Sequence, residues 1–339
     1  MFEALGRFSL EAIFIGSGVC SLSLAHYYLK KFPKNRVKII HSSGFFPAVD
    51  NQILLIVSSN GMKKGLSPLG DLLVDSFNFF KKHHSGFNGV YECDQFHLRL
   101  PEDKYRSKFD RRFGQVHRQL DLDYLSNPLD GVEARSFIVD AGTFFDTLVK
   151  EFKSNIQFIP DLVTSFSLAK EISVLTNSGQ TFKTNDLFLA GGAYSKFLPS
   201  SFINSSHLQR HKTISGGVWS ANCDLGEKSF ILTIDMANLV YHSERKMLQI
   251  GGRSSDLAID CDCITGIKSN YDLFKQIVRF VPDFADGSVI TSFRSKGRNR
   301  LPFYQSRRFD NNRITHLSGV YKNGYTTGPY LANMLLSEY

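Results

Sequence analysis

The sequence predicts an α/β protein in two parts: a parallel-sheet domain assembled from the start, middle and end of the chain, and an inserted antiparallel-sheet domain. Three observations predict it. Near the start, the apolar run Ala12-Ile13-Phe14-Ile15 stops at Gly16-Ser17-Gly18 and reopens as a helical pattern. Near the end, Ile314 to Ser318 repeats that style, with a strand, then Gly319, then a closing helix. Between them, residues 85–101 and 214–250 alternate apolar and polar positions with the period of half-buried strands. A chain of 339 residues is long for one hydrophobic core and suits two.

Taken in order, the first strand and its Gly-x-Gly lead into a helix whose Leu22, Ala25, Leu29 and Phe32 recur at helical spacing. Lys30 and Lys31 sit in its last turn, where cations favour the dipole, and Pro33 ends it. Arg36 to Ile40 is a second strand. A strand that stops at Gly16 and reopens near Val19 aims unpaired backbone N–H groups at one point, which suits a pyrophosphate. Gly16 allows the tight turn, Gly18 lets phosphates approach the backbone, and Ser21 holds the third position, where Gly or Ala is usual. These features predict a Rossmann-like dinucleotide site that includes Val19 and Cys20. An acidic residue usually follows such a fingerprint by about 20 residues and takes the ribose hydroxyls. Here the second strand ends in His41-Ser42, the residues left to hydrogen-bond a ribose.

Residues 43–52 read as a loop, Ile53 to Val57 as a strand-like run, and Ser58-Ser59-Asn60-Gly61 as a sharp turn. Leu72 to Phe80 reads as a helix and Ala134 to Val139 as a strand closed by Asp140-Ala141-Gly142. Thr143 to Phe152 reads as a helix with Phe144, Leu148, Val149 and Phe152 on one side. Short strands over 156–190 are broken by the hairpin turn Asn177-Ser178-Gly179, and the last runs into Ala190-Gly191-Gly192. Strands are predicted over 214–220, 229–234, 239–242 and 247–250, a helix over 273–280, a turn at Asn323-Gly324-Tyr325 and a closing helix over 326–336. The nucleotide domain is expected over 1–80, 135–205 and 289–339, and the inserted domain over 81–134 and 206–288.

Composition narrows the class. Hydrophobic content of 42% is ordinary for a globular protein, and no apolar run approaches the length of a membrane span. The start lacks the basic, apolar and small-residue order of a signal peptide. Five scattered cysteines argue against a disulfide framework and for a reducing, cytoplasmic setting, and Cys261-x-Cys263 lacks the second pair that a metal site needs. The net charge of +8 has two local sources, residues 104–118 and 294–308, each compatible with a solvated face or an acidic partner, nucleic acid included. Oligomeric state is left open.

Together these features resemble the FAD-dependent oxidoreductases of the D-amino-acid oxidase superfamily, above all its glycine-oxidase-like and sarcosine-oxidase-like branch. The anchors are Gly16-Ser17-Gly18, the turn Ser59-Asn60-Gly61 with Lys63-Lys64-Gly65, the Ala190-Gly191-Gly192 strand end, and the closing strand–Gly–helix unit. The resemblance implies extended FAD, with its pyrophosphate at the first Gly turn and its isoalloxazine beside Gly319, Lys322, Asn323, Gly324, Tyr325 and Thr326. It also implies a role for Lys64 and a backbone contact from Val163 on the adenosine side. A substrate carboxylate would pair with an Arg, for which Arg294 stands first and Arg298 second; bidentate geometry explains the residue type. Tyr241 and, after it, Tyr304 are substrate candidates by the same likeness, although in a chain with 30 Phe and 13 Tyr a core place is the commoner fate of any one aromatic.

The stretch Arg294 to Pro302 and the ending Thr326-Thr327-Gly328-Pro329 are similar to the oxidoreductase domain of the bifunctional tRNA wobble-uridine modification enzyme, with Asn299 where Asp is typical. Three readings follow. The first is amine oxidation by hydride transfer from a small amino acid or N-substituted glycine. The second is flavoprotein action on a carboxymethylaminomethyl-type group of tRNA. The third is a flavin-family binding or structural subunit without catalysis. No catalytic acid–base pair and no metal ligand set is read from the sequence.

Overall fold

The computed structural model describes residues 11–42, 54–114, 117–197, 211–255 and 261–339. The loop read at 43–52 lies outside them, as do the side chains of Cys261 and Cys263. In chain order the elements are β1 (Glu11–Ile15), α1 (Val19–Lys31), β2 (Arg36–His41), β3 (Leu54–Val57), α2 (Pro68–His84), β4 (Val90–Arg99) and α3 (Asp103–Phe113). There follow β5 (Arg118–Leu120), β6 (Leu129–Asp140), α4 (Ala141–Lys150), β7 (Ile156–Pro160), β8 (Val163–Leu168), β9 (Ile172–Thr176), β10 (Thr181–Thr184) and β11 (Asp186–Leu189). The rest are β12 (Lys212–Asn222), β13 (Phe230–Ile234), β14 (Ala237–His242), β15 (Met247–Ser255), α5 (Cys261–Ile277), β16 (Ser288–Lys296), β17 (Phe303–Phe309), β18 (Asn312–Ser318) and α6 (Gly324–Ser337).

The chain divides into two units: 1–51, 142–212 and 295–339 form the first, and 52–141 with 213–294 form the second. Residues 52–80 therefore pack in the second unit rather than the first, because β3 pairs antiparallel with β6 from Leu54↔Asp140 to Val57↔Phe137.

The first unit holds a six-stranded sheet of order β17-β18-β11-β1-β2-β7. Every pair is parallel except the edge pair β17–β18. Period-two alternation splits its residues between two faces. Ile13, Ile15, Leu187, Leu189 and Ile314 pack against Val163, Phe166, Ile172 and Val174 of the antiparallel sheet β10-β9-β8. On the other face, Phe14 stacks on Phe188 at 4.2 Å between ring centres, and Tyr28 of α1 meets both edge-on. This is the α/β, Rossmann-like architecture read from the sequence.

The second unit holds a larger sheet of order β16-β12-β15-β14-β13-β4-β6-β3, with β5 paired to β6. The inserted sheet is mixed rather than wholly antiparallel, since β13 runs parallel to β4. One face packs Phe96, Leu98, Trp219, Leu232, Leu239, Tyr241, Leu248 and Ile250 against Ile267, Tyr271 and Phe274 of α5.

Three other expectations change. The helix begins at Ala141 directly from the strand, so Asp140-Ala141-Gly142 is no turn. Gly324 and Tyr325 are the first residues of α6 rather than a turn before it. The basic run 294–308 takes in the end of β16, the turn 298–300 and most of β17, so it is largely strand.

Candidate functional site

The first unit brings its glycine turns to one edge. The parallel strands β1, β2, β11 and β18 end at Ile15, His41, Leu189 and Ser318, in a register that pairs Ile15 with both Ile40 and Leu189, and Leu189 with His316. Gly16, Ser42, Ala190-Gly191 and Gly319 follow directly, and Val163 lies just past the end of β7, so all stand at the carboxyl edge, where open α/β sheets bind ligands. Gly16 has φ +105°, and a Cβ there would lie 2.5 Å from the Ala190 carbonyl oxygen, so no side chain fits. Gly16 N–H donates to Ile40 O and Ala190 N–H to Ile15 O, both at 2.9 Å, which locks the turn across three strands. Gly18 is the N-cap of α1, and a Cβ there would meet nothing within 4 Å.

Two helices start beside this edge, and they touch. A Cβ on Gly324 would lie 3.3 Å from Val19, and one on Gly328 3.5 Å from the Cys20 sulfur. Small residues thus let the first turns of α1 and α6 pack closely. Neither helix has a side-chain cap or an acidic residue in its first turn. By contrast, α2 satisfies its own start: Ser67 accepts from Gly70 N–H at 3.0 Å, and Asp71 sits in its first turn. Two helix starts without a side-chain cap turn their first-turn backbone and the positive ends of two dipoles toward this edge, which favours an anion. Burial pushes the Cys20 thiol up to about 12, so it is a packing residue and not a thiolate. Tyr325 is buried against Phe145, and Thr326 is buried in the same first turn. Asn323 stands at the N-cap of α6, where its carbonyl accepts from the Thr327 hydroxyl at 2.9 Å, and the half-buried Lys322 lies over the Tyr321 ring.

His41 is buried, its basicity lowered by burial, and its ring meets Phe158 edge-on. Lys64, in the second unit, pairs with Asp75 of α2 and is well exposed. Arg298 is exposed on the turn 298–300, where Asn299 and Arg300 take φ +54° and +65°. Gly297, just before that turn, donates to Gly319 O at 3.3 Å. Tyr304 is exposed on the edge strand β17. Tyr241 is fully buried in the α5-side core and donates its hydroxyl to Gly226 O at 2.8 Å, so the geometry gives it to the core and not to a ligand.

Arg294 lies on β16, next to β12. Its guanidinium rests on Gly216: a Cβ there would sit 2.6 Å from Nη1 and 2.7 Å from Cζ. Trp219 of β12 points into the α5-side core, so alternation puts Gly216, and Arg294 over it, on the opposite face. That face carries a buried polar network the sequence did not disclose. The Gln95 carbonyl oxygen accepts from Ser58 and Ser136 hydroxyls at 2.5 Å each, and its amide donates to Thr233 at 2.9 Å. Thr233 in turn donates to Asn238 at 2.9 Å, and Gln249 accepts Leu54 N–H at 2.7 Å. One signal for this region was available: the pairs Gly216-Gly217 and Gly251-Gly252 sit inside strands, where glycine marks bulges and close approach. Of the first basic run, Lys108 pairs with Asp235 and Arg118 with Glu133, so those two cations serve the second unit itself.

No protein-family model and no curated protein matches the chain. Solved structures do. Glycine oxidase from Bacillus cereus aligns over 97% of this chain and 98% of its own, with a TM-score of 0.74 and 16% identity. The chain has the glycine-oxidase fold. Glycine oxidase from Geobacillus kaustophilus covers 97% and 94% of the two chains with a TM-score of 0.70 at 17% identity. Fructosamine oxidase from Aspergillus fumigatus covers 97% and 86% with a TM-score of 0.73 at 12% identity. Among the described residues, no helix is long and apolar enough to cross a membrane.

Proposed function

We propose that the chain is an FAD-dependent oxidoreductase that oxidises the C–N bond of a small amino acid or N-substituted glycine. One observation carries the reading: the starts of α1 and α6, each without a side-chain cap or an acidic residue, meet at the carboxyl edge of the parallel sheet, next to a Gly16 turn that no side chain could occupy. The likeness in fold to oxidases of glycine and fructosamine supports it.

The residues fit such a cofactor. Open space before Gly18, with the N–H groups of the first turn of α1, suits a pyrophosphate at Gly18, Val19 and Cys20. Ala190, Gly191 and Val163 offer backbone at the same edge, and His41 and Ser42 end β2, where a ribose would be held without a carboxylate. Lys322, Asn323, Gly324, Tyr325 and Thr326 form the second helix start, whose dipole favours negative charge on a reduced ring. Lys64 is a further candidate for the same cofactor, by the family likeness alone. When bound, the flavin supplies the acceptor for the hydride equivalent leaving the substrate α-carbon. Arg294 would hold the substrate carboxylate through its guanidinium fork, and the lack of that fork in any smaller residue makes the position specific.

A second reading, action on tRNA, is favoured by Arg298 and Arg300, which the 298–300 turn holds exposed. One purification separates the readings. The absorption spectrum and mass of the co-purifying small molecule should show FAD, and glycine or sarcosine should bleach it in the absence of oxygen. A colourless protein that fails to take up added FAD overturns the flavin reading. Bleaching only with modified tRNA, with salt-sensitive binding, favours the second.

A further inference from the structure

We propose that Gly216 is a positioning residue for the substrate carboxylate: its bare Cα is the seat that sets where the Arg294 guanidinium lies. The inference rests on the reading of Arg294 as the carboxylate anchor and adds to it the element that aims the fork.

Three observations lead here. The guanidinium packs flat against Gly216, with Nη1, Cζ and Nη2 at 2.6, 2.7 and 3.2 Å from the place a Cβ would take. Those three atoms surround one point, so the plane of the fork, and not merely its tip, is held. The backbone at Gly216 does not have a left-handed φ, so no turn requires glycine there. Lastly, the seat is built by an irregularity. The β12–β15 register shifts between Gly216 and Val218, and Gly251 opposite lacks the Cβ that would press on Gly217 O and Val218 at 3.1 Å. The glycines are thus explained by the guanidinium and the bulge, not by chain reversal.

The consequence separates position from stability. A methyl at Gly216 meets the far end of a flexible side chain, which can swing aside at small cost to the fold. What it cannot do is stay where it was. A bidentate fork is sensitive to such a shift, because both of its N–H donors must meet the two carboxylate oxygens at once. An exposed charge serving only solvation would tolerate the same shift without consequence.

The test uses the holoenzyme with glycolate, an amine-free carboxylate, as the binding probe and sarcosine as the substrate. Gly216→Ala should keep the thermal midpoint and flavin content, and raise the glycolate dissociation constant and the sarcosine KM by about 10-fold, with kcat changed less. Arg294→Ala should weaken glycolate at least as much, and adding Gly216→Ala to it should change the constant less than about 2-fold, because nothing remains to displace. Unaltered glycolate binding in Gly216→Ala, alongside loss in Arg294→Ala, overturns the seat and leaves the anchor standing. Unaltered binding in Arg294→Ala overturns the anchor and the seat with it. If Gly216→Ala fails to fold, the double variant decides: recovery of folding supports a clash with Arg294, and continued failure assigns Gly216 to the backbone and overturns the proposal.

Discussion

The two units build their candidate sites from different materials. In the first, the carboxyl edge is made of backbone: Gly16, Gly18, Ala190-Gly191, Gly319 and the first turns of α1 and α6 supply N–H groups and close approach. In the second, the face opposite α5 is made of side chains: Arg294 over Gly216, and Gln95 joined to Ser58, Ser136 and Thr233. A backbone site needs the absence of side chains at a few fixed positions. A side-chain site needs the presence of particular groups on strands far apart in sequence. The two should therefore break differently.

The largest break is expected at Gly16. Gly16→Val forces a β-branched residue to φ +105° with its Cβ at 2.5 Å from Ala190 O. Strain of about 1–3 kcal/mol from the dihedral alone is compounded by the clash with backbone that cannot rotate away. The variant should purify without flavin and melt well below the parent. A variant that keeps both its colour and its melting point refutes the backbone account of this edge.

Gln95→Leu tests the second unit in the complementary way. It removes the acceptor of the Ser58 and Ser136 hydroxyls and the donor to Thr233, all in a buried setting. Leaving buried polar groups unsatisfied costs about 1–3 kcal/mol each, and local rearrangement recovers part, so a loss of about 2–3 kcal/mol is expected in denaturant unfolding. Flavin content should persist in the folded fraction. Loss below about 0.5 kcal/mol would show that the network does not hold this face together.

The same contrast decides what could be read in advance. The first unit was legible because its chemistry is local in sequence. A strand that stops at Gly16-Ser17-Gly18 and a strand that stops at Gly319 carry their signals within about ten residues. What locality could not give is that α1 and α6 touch, which depends on Gly324 and Gly328 facing Val19 and Cys20 across 300 residues of chain. The second unit was legible as strands but not as a site. Gln95 reads as one more polar position in an alternating strand, and its partners come from β6, β13 and the turn after β3. Tyr241 is the converse case: a family likeness offered it to substrate beside the commoner fate of a core aromatic, and its register beside Phe230 and Leu248 turns it into the core. The strands β16 and β17 were hidden because each carries its charge near its end, Arg294 and Lys296 on the first and Arg307-Arg308 on the second, and that basic run reads as a solvated loop.

Each unit also buries a histidine, and there the two should respond alike. His97 in the second unit and His316 in the first are both pushed down to about 3, chiefly by burial, with a smaller contribution from Arg112 and His211 respectively. The unfolded chain protonates both near pH 6.5, so between about 3 and 6.5 it binds protons that the folded state does not. Their contribution is complete above about pH 6.5 and is lost as pH falls, with a slope of at most about 1.4 kcal/mol per pH unit for each. Denaturant midpoints should drop between pH 7 and pH 5, and His97→Gln or His316→Gln should each flatten that slope. A slope unchanged in both variants would assign the acid sensitivity to other groups.

The smallest structural effect, and the sharpest division between folding and binding, is expected at Gly18. Its φ of −78° is open to any residue, and a Cβ would meet nothing within 4 Å. Gly18→Ala should therefore leave the melting point of the flavin-free protein within about 0.5 kcal/mol of the parent. If a pyrophosphate approaches the start of α1, the added methyl occupies the space it needs, and FAD affinity should fall while the apoprotein is untouched. Gly16→Val is expected to damage both properties at once, because its neighbour is protein; Gly18→Ala should damage one, because its neighbour is the ligand. Equal FAD affinity in Gly18→Ala and parent would place the phosphates elsewhere along the edge, and would leave the Gly16 turn as a device for strand packing alone.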